Sequence, residues 1–164
     1  MQGNSERYGA LLQVVEAIAS HADLQGLVQD LARLLPLLVP VNFVGLSLYD
    51  AQRDMMRLHV LRANVPADII GGQESHPSDT PAGLVWQTQH PVILSDLAEE
   101  HRWPKLIALM REDAVQSCCL VPLTSAVRQL GALAFSSLEK DAYRVSDLEL
   151  MQQIGRQVAV AVEN

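Results

Sequence analysis

Two apolar runs flank a short polar turn between Gln116 and Ser137, and no other stretch of the 164-residue chain limits the fold so tightly. The first arm reads Gln-Ser-Cys-Cys-Leu-Val-Pro-Leu, the turn Thr-Ser-Ala-Val-Arg-Gln, and the second arm Leu-Gly-Ala-Leu-Ala-Phe-Ser-Ser. Runs of strand length with little alternation are buried on both faces, which places this hairpin at the centre of a sheet. Gly131, Ala132 and Ala134 are poor strand formers, so something bulky, a helix or a bound ligand, is expected close to one face. Pro122 has no N–H to donate and belongs near a strand end or a bulge.

The remaining segments supply the layers around that hairpin. Tyr8 to Ser20 carries apolar residues at helical spacing, and Asp23 is placed to cap a second helix with a broad leucine stripe, shortened by Pro36 and ended by Pro40. Val41 to Tyr49 and Met55 to Arg62 read as strands, the latter with Leu58 and Val60 on one face and Arg57, His59 and Leu61 on the other. Asn64 to Asp79 is rich in Pro, Gly and Ser and is expected to form an irregular flap. Thr80-Pro81 opens a short helix through Thr88, Val92 to Leu94 forms a short strand, and Pro104 to Glu112 another helix. Ser146 and Glu149 form a capping box, with Val145 and Leu150 as its hydrophobic staple, at the start of a last helix that is apolar on more than one side. The unpartnered apolar area predicts a homodimer through the first and last helices.

Composition narrows the function classes. Aromatic residues make up 4% of the chain, so the core must come from aliphatic side chains. A net charge of -7 and only two lysines, Lys105 and Lys140, argue against a nucleic-acid surface. No apolar run approaches the roughly 20 residues of a membrane span, no signal-peptide core opens the chain, and the adjacent Cys118 and Cys119 point to opposite faces of a strand, so a cytoplasmic protein without disulfides is expected. Five scattered histidines show no paired metal-ligand spacing, although His59 and His101 leave a haem or iron reading open. No nucleophile with a base beside it suggests catalysis, so neither catalytic residues nor cofactors are expected.

Taken together, Thr80 to Trp86 with His90-Pro91-Val92-Ile93, the strand Ser117 to Leu123, Leu130-Gly131-Ala132-Leu133 and Ser146-Asp147-Leu148-Glu149 resemble a GAF domain over about the whole chain. Leu24 to Asp50 in particular is similar to the amino-terminal sensory GAF domains of sigma-54-dependent regulators of the formate hydrogenlyase activator type. That resemblance implies an α+β fold of the PAS/GAF/profilin-like kind, a single domain with helices within 5–39, sheet and lid over 41–138 and a carboxy-terminal helix at 146–163. The terminal helices would cover one face of an antiparallel sheet, and a lid of loops and short helices, Asn64 to Thr88 and Leu97 to Asp113, the other. It also implies a small-molecule sensor joined to AAA+ and DNA-binding output modules in a longer protein, with ligand-dependent rearrangement of a dimer controlling the output. A ligand-free dimerisation scaffold, and a GAF sensor of a signalling kinase or cyclase, stand as alternatives. Polar groups expected to reach the pocket are Arg57, His59, Trp86, His101, Arg102, Trp103, Ser117 and Cys119, with Arg57 or Arg102 suited to a small anion or carboxylate.

Overall fold

The computed structural model describes residues 9–14, 16, 23–63 and 70–163. Six strands form one antiparallel sheet: β1 (Phe43–Asp50), β2 (Met55–Arg62), β3 (Ile70–Ser75), β4 (Val92–Leu94), β5 (Ser117–Thr124) and β6 (Gln129–Ser137), in the order β3-β2-β1-β6-β5-β4. The predicted central hairpin is β5–β6, with Cys119 opposite Phe135 and Val121 opposite Leu133. Helices α1 (Leu24–Leu34), α2 (Pro81–Thr88), α3 (Pro104–Glu112) and α4 (Leu148–Glu163) complete the fold. Residues 9–14 are helical, and the rest of the helix predicted over Tyr8 to Ser20 lies outside the described residues, apart from the helical Glu16.

Strand alternation divides the molecule into two cores. On one face Val44 and Leu46 of β1, Cys119, Val121 and Leu123 of β5, and Leu133 and Phe135 of β6 pack against Leu27, Val28, Leu31 and Leu35 from α1 and the following turn, and Met151, Ile154 and Val158 of α4. Many of these side chains are fully buried. At about 1.5–3 kcal/mol for each large aliphatic or aromatic side chain removed from water, this layer supplies most of the hydrophobic stabilisation. On the other face a smaller cluster joins Met56, Cys118, Leu120 and Ala132 of the sheet to Ala82 and Val85 of α2, Leu97, Ile107 of α3 and Val115.

Local signals explain the element boundaries. The Asp23 carboxylate accepts the Gly26 N–H at 2.6 Å at the start of α1, and Pro36 converts its end into a 3-10 turn, Leu35–Leu37. The Thr80 hydroxyl accepts the Gly83 N–H at 2.9 Å, with Pro81 in the first turn of α2, and Gln89 closes that helix in the left-handed region at φ 63°.

Two sequence expectations are corrected. Residues 70–75, read as part of a flap, form the edge strand β3, because a register shift between Leu58 and His59 absorbs one residue of the Gly71-Gly72 pair as a bulge. The last helix is entered through a 3-10 turn, Val145–Asp147, in which the Asp147 carboxylate accepts the Arg144 N–H at 3.1 Å, so the reciprocal bond comes from Asp147 and not Glu149. Val145 is 78% exposed and staples nothing.

Gly83 sets how closely α2 lies on the turn before it. A Cβ at this position would stand 1.8 Å from the Pro77 carbonyl oxygen, which belongs to backbone and cannot swing away. Gly83→Ala is therefore expected to cost about 2–3 kcal/mol by overpacking, read from urea denaturation. Gly9→Ala, where nothing lies within 4 Å of the added carbon, is expected to be neutral or stabilising by up to about 1 kcal/mol.

Candidate functional site

A cavity of about 730 Å³ opens between the sheet and the α2/α3 side of the molecule. Its floor is made by residues of one parity on each strand: Leu58, Val60 and Arg62 of β2, Phe43, Gly45 and Ser47 of β1, Ala134 and Ser136 of β6, and Cys118 and Leu120 of β5. The pairings Val60–Gly45, Gly45–Ala134 and Leu120–Ala134 place the two smallest floor residues side by side at its waist. Thr80, Pro81 and Ala82 at the start of α2, and Leu106, Leu109 and Met110 of α3 with the turn Glu112–Val115, form the walls. This is the size and mainly apolar character of a small-molecule site.

Charge is confined to the rim. Arg62, with its guanidinium carbon 5.9 Å from the Phe43 ring centroid, and Glu112 and Asp113 are the charged lining residues, and all three are exposed. The last turn of α3 also borders the cavity, where the Met110 carbonyl accepts the N–H groups of Asp113 and Val115, both at 3.1 Å. A helix carboxy terminus carries partial negative charge, which disfavours an anion at this wall.

The eight residues singled out from the sequence lie elsewhere than on this lining. Arg57, His59, Ser117 and Cys119 belong to the helix-covered face of the sheet. Arg57 stands opposite Glu74 with an ion-pair distance of 3.7 Å, its side chain 53% exposed. His59 is held below the ordinary histidine range by burial and by the neighbouring Arg57 charge. The Ser117 hydroxyl donates to the Glu139 carbonyl at 2.6 Å and accepts the Ala142 N–H at 3.4 Å, which ties β5 to the segment before α4.

Trp86 and Trp103 do pack on the lid side. Trp86 stacks on Tyr49 with ring centroids 4.0 Å apart and donates its indole N–H to the Gln129 carbonyl at 3.1 Å, so both its face and its polar edge serve packing. Trp103 takes the left-handed region at φ 55° before Pro104, and the Arg102 guanidinium lies 4.4 Å from its ring centroid while binding Glu100 at 2.9 Å. His101 is exposed in the same loop. Sequence reasoning had the strand alternation right and singled out Ala134 for its size, but chose larger polar and charged side chains as site candidates and passed over Ser47, Ser136 and Gly45, whose signal is small size on the face of the central strands away from α1 and α4.

Among the described residues no group of three or more His, Cys, Asp or Glu side chains is placed to hold a metal ion. Both thiols are buried. Cys118 lines the cavity and is raised well above the normal thiol range by burial, and Cys119, on the helix side, is pushed up to about 12, chiefly by burial. A raised thiol pKa suppresses the nucleophilic thiolate.

A single antiparallel sheet with a helical layer on one face and a hollow beneath short helices on the other defines an α+β domain of two unequal layers. Residues 21–163 match the GAF domain family, and the chain belongs to that family. Among curated relatives it is similar to the formate hydrogenlyase transcriptional activator FhlA of Escherichia coli strain K12, 23% identical over 167 residues covering 97% of this chain and 23% of that protein. The chain thus spans about a quarter of that relative's length. Among solved structures it is similar to a free methionine-R-sulfoxide reductase from Neisseria meningitidis in complex with its substrate (TM-score 0.73, 18% identity, 96% of this chain and 88% of that one). It is equally similar to the GAF domain of an Acinetobacter phosphoenolpyruvate-protein phosphotransferase (TM-score 0.73, 17% identity, 96% and 92%). These structural likenesses establish the fold. Among the described residues, no helix is long and apolar enough to cross a membrane.

Because both thiols are buried with raised pKa values, neither is expected to react with Ellman's reagent within an hour at pH 8 in the native protein, whereas two thiols per chain react at once in denaturant. Rapid labelling of one thiol in the folded state would show that the cavity wall opens.

Proposed function

We propose that this chain is the small-molecule-sensing regulatory domain of a cytoplasmic transcriptional activator of the sigma-54-dependent type, without catalytic activity of its own. The observation that carries the reading is the cavity on the sheet face away from α1 and α4, in a chain whose sequence relative is a transcriptional activator four times its length. The inert character of both thiols speaks against a thiol-based reductase activity despite the shared fold.

The mechanism follows from the central hairpin. Alternate residues of β5 and β6 touch the cavity and α4, so Cys118, Leu120 and Ala134 look into the hollow while Cys119, Val121 and Phe135 support the helices. The Arg128 guanidinium at the hairpin turn binds the Glu163 carboxylate at 3.0 Å, linking the same hairpin to the end of α4. A ligand that prefers one placement of the floor therefore biases the helical layer. Exposed Leu12, Leu37 and Val160 on helical segments supply apolar surface for a homodimer, through which that bias would reach the output modules.

A thermal-shift screen of the chain against carboxylates, nucleotides and uncharged aromatic compounds tests this, with light scattering on each hit. A true ligand at about a hundredfold over its Kd adds about 2.7 kcal/mol and is expected to raise Tm by roughly 5–10 °C. Light scattering is expected to give the mass of two chains, with a ligand-dependent change in hydrodynamic radius. No stabilisation by any class, with a monomer at every concentration, would contradict the proposal.

A further inference from the structure

Two serines on the cavity floor stand out because their hydroxyls face the hollow without a protein partner. Ser47 is 7% and Ser136 6% exposed, both line the cavity, and neither hydroxyl has a hydrogen-bond partner among the described residues. Facing the hollow, each hydroxyl is available to whatever occupies the cavity, whereas Ala134 between them offers only apolar surface. Other serines of this chain do find partners: Ser117 binds Glu139 and Ala142, and the Ser137 hydroxyl accepts the Glu139 N–H at 3.1 Å.

The register gives the spacing of the two groups. Ser136 pairs with Phe43, and Ser47 lies four residues further along the same strand. At about 3.4 Å per residue and about 4.8 Å between strands, the two hydroxyls are roughly 14 Å apart along the floor. Between them lie Gly45 and Ala134, paired with each other and flanked by Val60 and Leu120. The result is a flat, apolar waist with a hydroxyl at either end. The charged side chains of the lining, Arg62, Glu112 and Asp113, stay at the exposed rim and are of mixed sign, so no charged side chain stands in the interior to pair with a buried ionic group.

Resting on the sensor reading above, we infer that the cavity takes an uncharged, flat, ring-bearing ligand with a hydroxyl or carbonyl group at each end, held by Ser47 and Ser136 with its apolar body over Gly45 and Ala134. This differs from the carboxylate or other small anion suggested by the sequence. Hydrogen bonding to the ligand would satisfy the two hydroxyls that folding leaves open.

Three stilbenes of one rigid frame serve as probes: the unsubstituted hydrocarbon, the diol with both hydroxyls para, and the corresponding dicarboxylate. Calorimetric titration of the whole chain is expected to show the diol binding at least tenfold more tightly than either of the others. Ser47→Ala and Ser136→Ala are each expected to weaken the diol about fivefold, leave the hydrocarbon unchanged, and leave the Tm of the free protein little changed, since neither hydroxyl bonds to another described residue. Ala134→Leu, with Val60→Phe as a second cavity-filling variant should the first fold poorly, is expected to abolish all probe binding.

If the dicarboxylate binds as well as the diol, or if the diol gains nothing over the hydrocarbon while the filled variants still lose binding, the ligand class is wrong and the sensing cavity stands. If the serine variants instead unfold the free protein, the hydroxyls are structural and the inference falls. If neither the probes nor the neutral dye Nile red binds the wild-type chain, the inference and the sensor reading fail together.

Discussion

Everything in this molecule depends on the alternation of side chains along the central strands. With a period of two, each residue of β1, β5 and β6 is committed to one face, and the two faces receive different chemistry. One parity supplies Val44, Leu46, Val121, Leu123, Leu133 and Phe135, a continuous apolar sheet surface that α1 and α4 seal. The opposite parity supplies Gly45, Ser47, Ala134 and Ser136, too small to fill the space beneath the helices of the second layer. Stability is thus concentrated on one side, which leaves the other free to remain hollow.

That division also explains how a hollow persists without unfolding the domain. Interiors are packed near crystal density, and an empty volume of this size inside the principal core would be costly. Here it lies outside that core. The lid is held by local devices: the Thr80 cap, the close approach of Gly83 to Pro77, and the Trp86 ring stacked on Tyr49 with its N–H bound to Gln129. A network around Asp54, which accepts the Tyr49 hydroxyl at 2.7 Å and lies 3.4 Å from His76, joins the β1–β2 turn to the segment entering α2.

Much of this was legible in the residues. The β5–β6 hairpin, the Asp23 and Thr80 caps and the break at Pro36 follow from periodicity and from residues with one dominant conformational role, while the family resemblance rests on the order and spacing of several short motifs matched to known members. The edge strand β3 was not legible, because Gly71-Gly72 is as good a turn signal as it is a bulge signal, and only pairing with β2 decides between them. The eight candidate residues lie off this cavity's lining for a related reason. Arg57 and His59 carry the recognisable chemistry, yet alternation puts them opposite Glu74 and on the helix-covered face. The groups that do line the cavity are glycine, alanine and serine, whose meaning depends on what lies above them. Small residues in the second arm of the hairpin were rightly read as room for something bulky, and the structure shows that Ala132 is covered by packing while Ala134 is open to the cavity.

Diffraction from crystals of the domain pressurised with xenon tests the two-faced sheet most directly, since xenon enters dry apolar cavities large enough to hold it. The account requires xenon between the Gly45–Ala134 floor and Leu109 and Met110 of α3, and none in the layer between the sheet and α1 or α4. A sheet covered tightly on both sides, with Leu109 and Met110 seated on Gly45 and Ala134 and no xenon beneath them, would contradict it.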